Sequence, residues 1–302
     1  MVDGNLKRVN LNQLNQQVID FGVLFIQMKS IAILLTVHNR KANTLQCLEH
    51  LFAQQAIQGY NWEVYLTDDG CTDGTPEAVS KLYPSVHIVK GDGNLYWNRG
   101  MYKAWEAAAN ANDYDFYIWL NDDTLLFTDA IRNILAAGEQ TNFSAVICGA
   151  TCAKNTQQVT YSGWIHSSKK PLEPNGTVQT CHIVNGNFLL VPKIIFEIVG
   201  NLDWKFRHAI GDFDYGLRVQ KAGFRCYISP QFIGSCEVNP SLPKWCLKST
   251  PLFKRFKMLY SPLGYAEPIP FFIYEQRHFG LATAMKHFLS INLRALMPQL
   301  WN

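Results

Sequence analysis

Residues 116–124, FYIWLNDDT, decide the fold of this 302-residue chain. Five apolar residues end abruptly in two adjacent carboxylates, a pattern typical of a buried strand in a parallel sheet. Ligands of open α/β sheets bind outside the carboxyl ends of the strands, where Asp122 and Asp123 would stand. Because two neighbouring like charges are costly without a cation, the pair predicts a bound divalent metal. The simpler alternative is a polar turn that caps the next helix.

Strands and helices alternate on both sides of this stretch. Further apolar runs predict strands at residues 31–37, 62–67, 86–89 and 145–150, and helical spacing predicts helices at residues 43–55, 76–83, 99–110 and 129–137. The alternation across residues 31–150 predicts βαβ units and a parallel sheet with helices on both faces.

Three successive predicted strands end in acidic or glycine-rich turns. The strand at 62–67 is followed by DDGCTDGT, the strand at 86–89 by KGDGN, and the strand at 116–120 by NDD. These turns would meet at one sheet edge, which favours a ligand site over simple capping. Asp68 and Asp69 can accept hydrogen bonds from a ring imide or a ribose, although either could also cap its own turn.

The second half of the chain is less regular. We expect strands at residues 159–164, 180–191 and 225–228, the last closed by Pro230, with helices at 212–222 and 277–296. A third acidic cluster, GDFD, opens the first of these helices. Asp214 and Arg218 are four residues apart and should pair, which leaves Asp212 free for another task. The alternative for Asp212 is a favourable interaction with the helix dipole alone.

Composition limits the functions that the chain can have. The net charge of +3 is too weak to argue for nucleic acid, but residues 241–302 hold eight Lys/Arg against two Glu. No run of about 18 apolar residues occurs, so no membrane-spanning helix is expected. Eight scattered cysteines without a CxxC motif, and no evident secretory signal, favour a reducing cytoplasm. Residues 1–29 are predicted to be a poorly ordered leader.

Four motifs in order resemble family 2 glycosyltransferases of the GT-A fold. They are TVHN at 36–39, TDDGCTDGT at 67–75, NDD at 121–123 and GDFD at 211–214, and the resemblance covers roughly residues 30–240. The GDGNLYW stretch at 91–97 and Cys236-Glu237 resemble a rhamnosyltransferase-like bacterial subgroup. The resemblance implies an α/β GT-A domain, Rossmann-like, with a mostly parallel sheet flanked by helices. It divides residues 30–240 into a nucleotide-binding half, 30–150, and an acceptor half, 151–240.

The resemblance also implies a reaction and its residues. An inverting enzyme would move a sugar from a nucleotide-diphosphate donor to a hydroxyl of a glycan or lipid-linked acceptor. Thr36, Asp69 and Gly93 would contact the nucleoside, and Asp122 would approach the ribose or the donor sugar. Asp123 would hold Mg²⁺ or Mn²⁺ on the diphosphate, and Asp212 matches the general base. The basic, aromatic residues 241–302 would form a helical extension that rests peripherally on the inner face of the membrane, or a solvated face on a packing helix.

Two departures from the family pattern are visible. Asn121 and Gly211 stand where many members carry an acid, so fewer carboxylates remain for a metal, and Asp212 remains as the base of its motif. A sugar nucleotidyltransferase is one alternative, but such an enzyme would require a glycine-rich basic loop after the first strand, and the chain has His38-Asn39-Arg40 there. A non-catalytic sugar- or nucleotide-binding protein on the same fold is the other.

Overall fold

The computed structural model describes residues 28–166, 170–238 and 243–301. The predicted leader therefore lies almost entirely outside the described residues. The strands are β1 (Lys29–Val37), β2 (Tyr60–Asp68), β3 (Val86–Lys90), β4 (Phe116–Leu120), β5 (Leu125–Leu126), β6 (Ala145–Cys152), β7 (Val159–Tyr161), β8 (Gln179–Cys181), β9 (Phe188–Pro192) and β10 (Arg225–Ser235). The α-helices are α1 (Lys41–Phe52), α2 (Thr75–Leu82), α3 (Tyr96–Ala111), α4 (Ala130–Gln140), α5 (Lys193–Val199), α6 (Gly211–Lys221), α7 (Leu252–Leu259), α8 (Pro268–Phe279) and α9 (Leu281–Leu296).

One sheet organises these elements. Its strand order is β3-β2-β1-β4-β9-β6-β10-β5, with β7 paired to β6 and β8 paired to β10. The neighbours β3, β2, β1 and β4 are all parallel, and β9 runs antiparallel between β4 and β6. The prediction of a mostly parallel sheet flanked by helices is therefore confirmed. The carboxyl ends of β1 to β4 meet at one edge, as their polar turns predicted.

Helices cover both faces of the sheet, and each face buries its own apolar cluster. In β1, Ile31, Ile33 and Leu35 face one cluster, and Ala32 and Leu34 face the other. All five residues of β4 are buried, because this central strand is covered on both sides. The central position of β4 explains why residues 116–120 form a continuous apolar run.

Two strand predictions in the second half are wrong. The run at 180–191 is split, because residues 182–187 leave the sheet between β8 and β9. The strand expected to close at Pro230 continues through it to Ser235, with register shifts in its pairing with β6 between Ile228 and Phe232 and again beyond Phe232. A β-bulge tolerates a residue without an N–H donor, so proline does not end the strand there.

The single helix predicted at 277–296 is two helices, α8 and α9, separated by Gly280. Its φ of 89° lies outside the range that continues a helix, and glycine adopts it without strain. Within the part of the chain that the structure describes, no helix is long and apolar enough to cross a membrane.

Candidate functional site

A cavity with a volume of about 390 Å³ lies at the carboxyl ends of β1, β2, β3 and β4. Four predicted site residues line it, namely Thr36, Asp69, Gly93 and Asp122. Each comes from the end of a different strand or from the turn that follows it. The parallel order β3-β2-β1-β4 is what brings these distant positions together.

The carboxylate of Asp69 holds the loop that forms one wall of this cavity. Its Oδ1 accepts a hydrogen bond from the N–H of Gly93 at 2.8 Å, and its Oδ2 accepts from the N–H groups of Leu95 at 3.0 Å and Tyr96 at 2.9 Å. Gly93 has a φ of 84°, and a Cβ on Gly70 would lie 2.9 Å from the Gly93 Cα. The three N–H groups occupy most of the acceptor sites of the Asp69 carboxylate, whose main role is therefore to hold the cavity wall in place. A nucleoside could bind only to the acceptor sites that are still free.

Replacing Asp69 with asparagine is expected to loosen this wall. The amide NH₂ would face a backbone N–H donor, which leaves a buried donor unsatisfied and costs about 2 kcal/mol of folding free energy. Chemical denaturation of both proteins measures the loss. Asp92→Asn is the matched control, because Asp92 lies in the same loop but is exposed. Equal stabilities of the Asp69 and Asp92 variants would contradict this role.

Arg40 joins the two carboxylates that follow β4. Its Nη1 lies 3.3 Å from Oδ1 of Asp122, and its Nη2 lies 2.8 Å from Oδ2 of Asp123. Asp122 is buried and also accepts a hydrogen bond from Thr44 Oγ1 at 3.3 Å. Burial raises the pKa of Asp122 to about 6, and the charge of Arg40 opposes the rise. The guanidinium is thus a cation that balances the pair, a role that the sequence reasoning gave to a metal alone.

Asp123 is the carboxylate best placed to hold a metal ion. Its side chain is 35% exposed and lines a second cavity of about 290 Å³ together with Cys236 and Glu237, and Arg40 lines both cavities. Among the described residues, no group of three or more His, Cys, Asp or Glu side chains is arranged around a common metal position. Mg²⁺ is commonly held by one or two carboxylates with substrate phosphates and water, and oxygen ligands also suit Mn²⁺. Asp123 fits an ion that takes its other ligands from a diphosphate.

Metal and nucleotide are therefore expected to bind cooperatively. Mn²⁺ alone should leave the thermal midpoint nearly unchanged, because one carboxylate already paired with Arg40 is a weak site. Mn²⁺ added with a nucleoside diphosphate should raise the midpoint more than the nucleotide alone does, and the coupling must be reciprocal. The expected gain disappears in Asp123→Asn. A full midpoint shift with Mn²⁺ alone would contradict a site that depends on the diphosphate.

Asp212 is the second residue of helix α6 and lies against the segment between β8 and β9. Its Oδ2 accepts the N–H of Gly186 at 3.0 Å, and its Oδ1 accepts the N–H of Phe213 at 2.9 Å. Burial raises the pKa of Asp212 to about 6, and these two hydrogen bonds oppose the rise. A carboxylate with this pKa is ionised at neutral pH, yet it accepts a proton more readily than an ordinary aspartate does.

Residues 185–187 connect Asp212 to the end of β4. Asn187 accepts the N–H of Asn121 at 2.9 Å through its carbonyl, and its side-chain oxygen accepts from Asn121 Nδ2 at 2.9 Å. Asn121 in turn accepts the indole N–H of Trp97 at 2.7 Å. Trp97 lines the first cavity and packs on Gly186, where a Cβ would lie 2.4 Å from the ring. Asp212 itself lines neither cavity and lies beside Gly186, where a Cβ would be 3.5 Å from the Asp212 Cβ.

The structure also explains the glycine that departs from the family pattern. A Cβ on Gly211 would lie 1.7 Å from Oδ1 of Asn98. Asn98 is fully buried and donates from Nδ2 to the carbonyls of Asp203 at 2.8 Å and Phe206 at 2.9 Å. No acid fits at position 211 while this asparagine holds its place, so Asp212 carries the motif alone.

Sequence reasoning missed Arg40, Asn98, Asn121 as a partner of Trp97, and Gly186. Arg40 had a detectable signal, because it follows the first strand at the same sheet edge as the carboxylates. The expected pair of Asp214 and Arg218 is confirmed, with Nε of the arginine 2.8 Å from the carboxylate.

Solved structures with the same arrangement of strands and helices are GT-A glycosyltransferases. TarS from S. aureus in complex with UDP-GlcNAc matches with a TM-score of 0.55 and 13% identity, covering 89% of this chain and 81% of that chain. The mannosyltransferase PcManGT from Pyrobaculum calidifontis, in complex with GDP-Man and Mn²⁺, matches with a TM-score of 0.53 and 15% identity, covering 88% and 75%. At these identities the likeness establishes the fold, which is the GT-A fold.

The sequence assigns the family. The profile described as glycosyl transferase family 2 matches residues 32–198, more than half of the chain, and the chain belongs to this family. A curated relative in Mycobacterium tuberculosis, N-acetylglucosaminyl-diphospho-decaprenol L-rhamnosyltransferase, is 26% identical over 189 residues. The alignment covers 53% of this chain and 62% of the relative, so the chain spans less than two thirds of that protein.

Proposed function

We propose that this protein transfers a sugar, with inversion at the anomeric carbon, from a nucleotide-diphosphate donor to a hydroxyl of a glycan or lipid-linked acceptor. The observation that carries the proposal is the meeting of four strand ends at one cavity, with Asp212 attached to its wall through Gly186 and Trp97. Family membership and the GT-A fold support the same reaction class.

The donor and the acceptor follow from the same cavity. The nucleoside would lie beside Thr36 and Gly93, and the ribose or sugar beside Asp122. Relatives of this fold bind UDP-GlcNAc or GDP-Man, and the M. tuberculosis relative is named for a diphospho-decaprenol acceptor. A rhamnosyl-type or hexosyl donor and a lipid-linked acceptor suit this chain, with transfer at the inner face of the membrane and residues 241–302 as the peripheral contact.

The mechanism is a single displacement. The acceptor oxygen attacks the anomeric carbon from the face opposite the diphosphate, and Asp212 accepts the hydroxyl proton as the new C–O bond forms. The bond between the anomeric carbon and the diphosphate breaks in the same step. Arg40 faces the cavity and can stabilise the charge that develops on the leaving diphosphate. A divalent cation bound at Asp123 would neutralise more of that charge.

A panel of UDP-, GDP- and dTDP-linked sugars, screened with and without Mn²⁺, tests the proposal. At a hundredfold excess over its dissociation constant, the matching donor should add about 2.7 kcal/mol to the unfolding free energy. The same donor should slowly release nucleoside diphosphate through hydrolysis. A binding protein on this fold would show stabilisation without release. A nucleotidyltransferase would consume nucleoside triphosphate and sugar phosphate. Either result would overturn the proposal.

The rate of transfer is expected to fall as the pH drops below about 6. Asp212 must be ionised to accept a proton, and burial raises its pKa to about 6 in the folded protein. The profile of kcat/KM against pH should therefore rise through about pH 6 and reach a plateau above it. Circular dichroism across the same range checks that the fold persists. A rate that is constant or increases from pH 7 to pH 5 would contradict Asp212 as the base.

A further inference from the structure

Helix α9 exposes a row of apolar side chains to solvent. Five large side chains along its whole length are each 44–61% exposed, namely Leu281, Met285, Leu289, Leu293 and Leu296. Four of them follow one another at intervals of four residues, so they lie on one side of the helix. We refer to these five residues as the exposed apolar face of α9.

A neighbouring side of the same helix packs against the protein. Ala284 and Ala295 are fully buried, and Ile291 packs against the cluster that contains Trp245. The ring of Phe288 lies 5.9 Å from the ring of Phe272 on α8. Large apolar side chains of α9 thus lie both against the protein and in contact with water, and a contiguous exposed apolar patch commonly marks an interaction site.

The charge around α9 has one sign. The helix contains no Asp or Glu and carries Lys286 beside its exposed apolar face. The two acidic residues between 243 and 301 are both paired, Glu267 with Arg207 and Glu275 with His287. Of the eight Lys and Arg residues in the same region, Arg277 pairs with Asp203 and Asp214, and Arg255 is buried. Five exposed lysines, Lys244, Lys248, Lys254, Lys257 and Lys286, give the surface a positive charge that attracts anions.

The helix is also fixed relative to the predicted base. In the last turn of α8, just before Gly280 and α9, Arg277 Nη1 lies 2.7 Å and His278 Nε2 lies 2.9 Å from Oδ1 of Asp214. Asp214 is fully buried in α6, two residues from Asp212. Helix α8, which packs against α9, is therefore anchored to the helix that carries Asp212.

We propose that α9 binds in the plane of an anionic lipid bilayer, with its exposed apolar face among the acyl chains and Lys286 at the headgroups. The 16 residues of α9 are about 24 Å long, shorter than the roughly 30 Å hydrocarbon core, so the helix lies along the membrane and does not span it. This inference rests on the proposed function and deepens it, because membrane binding through α9 would keep α6, which carries Asp212, close to a lipid-linked acceptor.

Charge favours a bilayer over a second copy of the chain. Two copies that pair through α9 would bring their Lys286 side chains and basic surroundings together without an acidic partner on this helix. An anionic headgroup layer supplies the opposite charge to the same surface, at about 1 kcal/mol for each Lys or Arg near it.

Flotation of the full chain with lipid vesicles tests this inference. Vesicles of phosphatidylcholine with phosphatidylglycerol should bind the protein at least about tenfold more tightly than phosphatidylcholine alone. The double variant Leu289→Gln/Leu293→Gln should lose about tenfold in affinity for the anionic vesicles. Leu82→Gln is the matched control, because Leu82 is 58% exposed on α2, and it should bind as the wild type does.

Two results would overturn the inference. One is equal vesicle binding by the wild type and the double variant. The other is a wild-type dimer in light scattering that the double variant converts to a monomer, without vesicle binding by either. Stabilisation by a nucleotide-sugar and slow donor hydrolysis should be the same in the double variant and the wild type in solution. If neither protein shows donor stabilisation and hydrolysis, the proposed function is wrong. If both proteins show them, a loss of vesicle binding in the double variant concerns membrane binding alone.

Discussion

Replacing Asp212 with asparagine is expected to lower sugar transfer by about a thousandfold. The amide cannot accept the proton of the attacking hydroxyl, whereas the volume of the side chain is nearly unchanged. Asp212 is held by the N–H groups of Gly186 and Phe213, one of which can still bond to the amide oxygen. The loss should therefore fall on kcat, with nearly unchanged affinity for the donor.

Release of nucleoside diphosphate under saturating donor and acceptor measures this effect. Asp129→Asn is a suitable control, because Asp129 is a half-buried carboxylate that precedes α4 and makes no side-chain capping hydrogen bond, and transfer should remain at the wild-type level. Donor binding by Asp212→Asn, followed by calorimetry, shows that the site is intact. Wild-type turnover by this variant would assign the base elsewhere.

Replacing Asp214 with asparagine is expected to cost about 3 kcal/mol of folding free energy. Asp214 is fully buried and binds three cationic or potentially cationic groups, with distances of 2.8 Å to Arg218, 2.7 Å to Arg277 and 2.9 Å to His278. The variant leaves these partners with less compensating charge. Asp203 still pairs with Arg277, which keeps the loss at the lower end of the range for a broken buried pair.

An exposed ion pair provides the comparison. Asp113 is 78% exposed and bonds to Lys193, and Asp113→Asn should change the unfolding free energy by less than about 1 kcal/mol. Equal losses for the Asp113 and Asp214 variants in urea denaturation would contradict the role of burial.

The cost of the Asp214 variant should also depend on pH. Burial alone would raise the pKa of Asp214, but the hydrogen bond from His278 and the charges of Arg218 and Arg277 lower it on balance. A carboxylate with a lowered pKa in the folded state stabilises the protein above its unfolded pKa of about 4 and loses that contribution as the pH falls. The difference between wild type and Asp214→Asn should shrink below about pH 4.

The first half of the fold could be predicted because its signals are local. A continuous apolar run such as residues 116–120 is the direct consequence of a strand covered on both faces. The polar turns after β1, β2, β3 and β4 mark strand ends, and the parallel order places them at one edge. Asp69 and Asp122 are predicted from such strand ends, whereas Thr36 and Gly93 follow from the resemblance to family 2 glycosyltransferases, and all four line the cavity.

The rest depends on contacts between distant segments. The strand β10 passes through Pro230 because the hydroxyl of Ser229 accepts the N–H of Ala150 at 2.9 Å inside the bulge. Residues 182–187 leave the sheet because Gly186 and Asn187 bind Asp212 and Asn121. Sequence periodicity holds no information about such partners, so the strand predicted at 180–191 is too long and the strand predicted at 225–228 is too short.

The same limit applies within the site. The sequence shows that Gly211 replaces an acid, but only the position of Asn98 explains why. It shows two adjacent carboxylates, but the 2.8 Å contact of Arg40 with Asp123 determines how their charge is balanced. Tertiary packing of α3 against α6, and the turn after β1, supply these answers.

A crystal structure with the matching nucleotide-sugar and Mn²⁺ tests the central claim most directly. We expect the nucleoside between Thr36 and Gly93, the diphosphate beside Asp123 and Arg40, and the anomeric carbon facing Asp212 across a gap that one hydroxyl oxygen fills. A nucleotide bound outside this cavity, or an anomeric carbon turned away from Asp212, would contradict it.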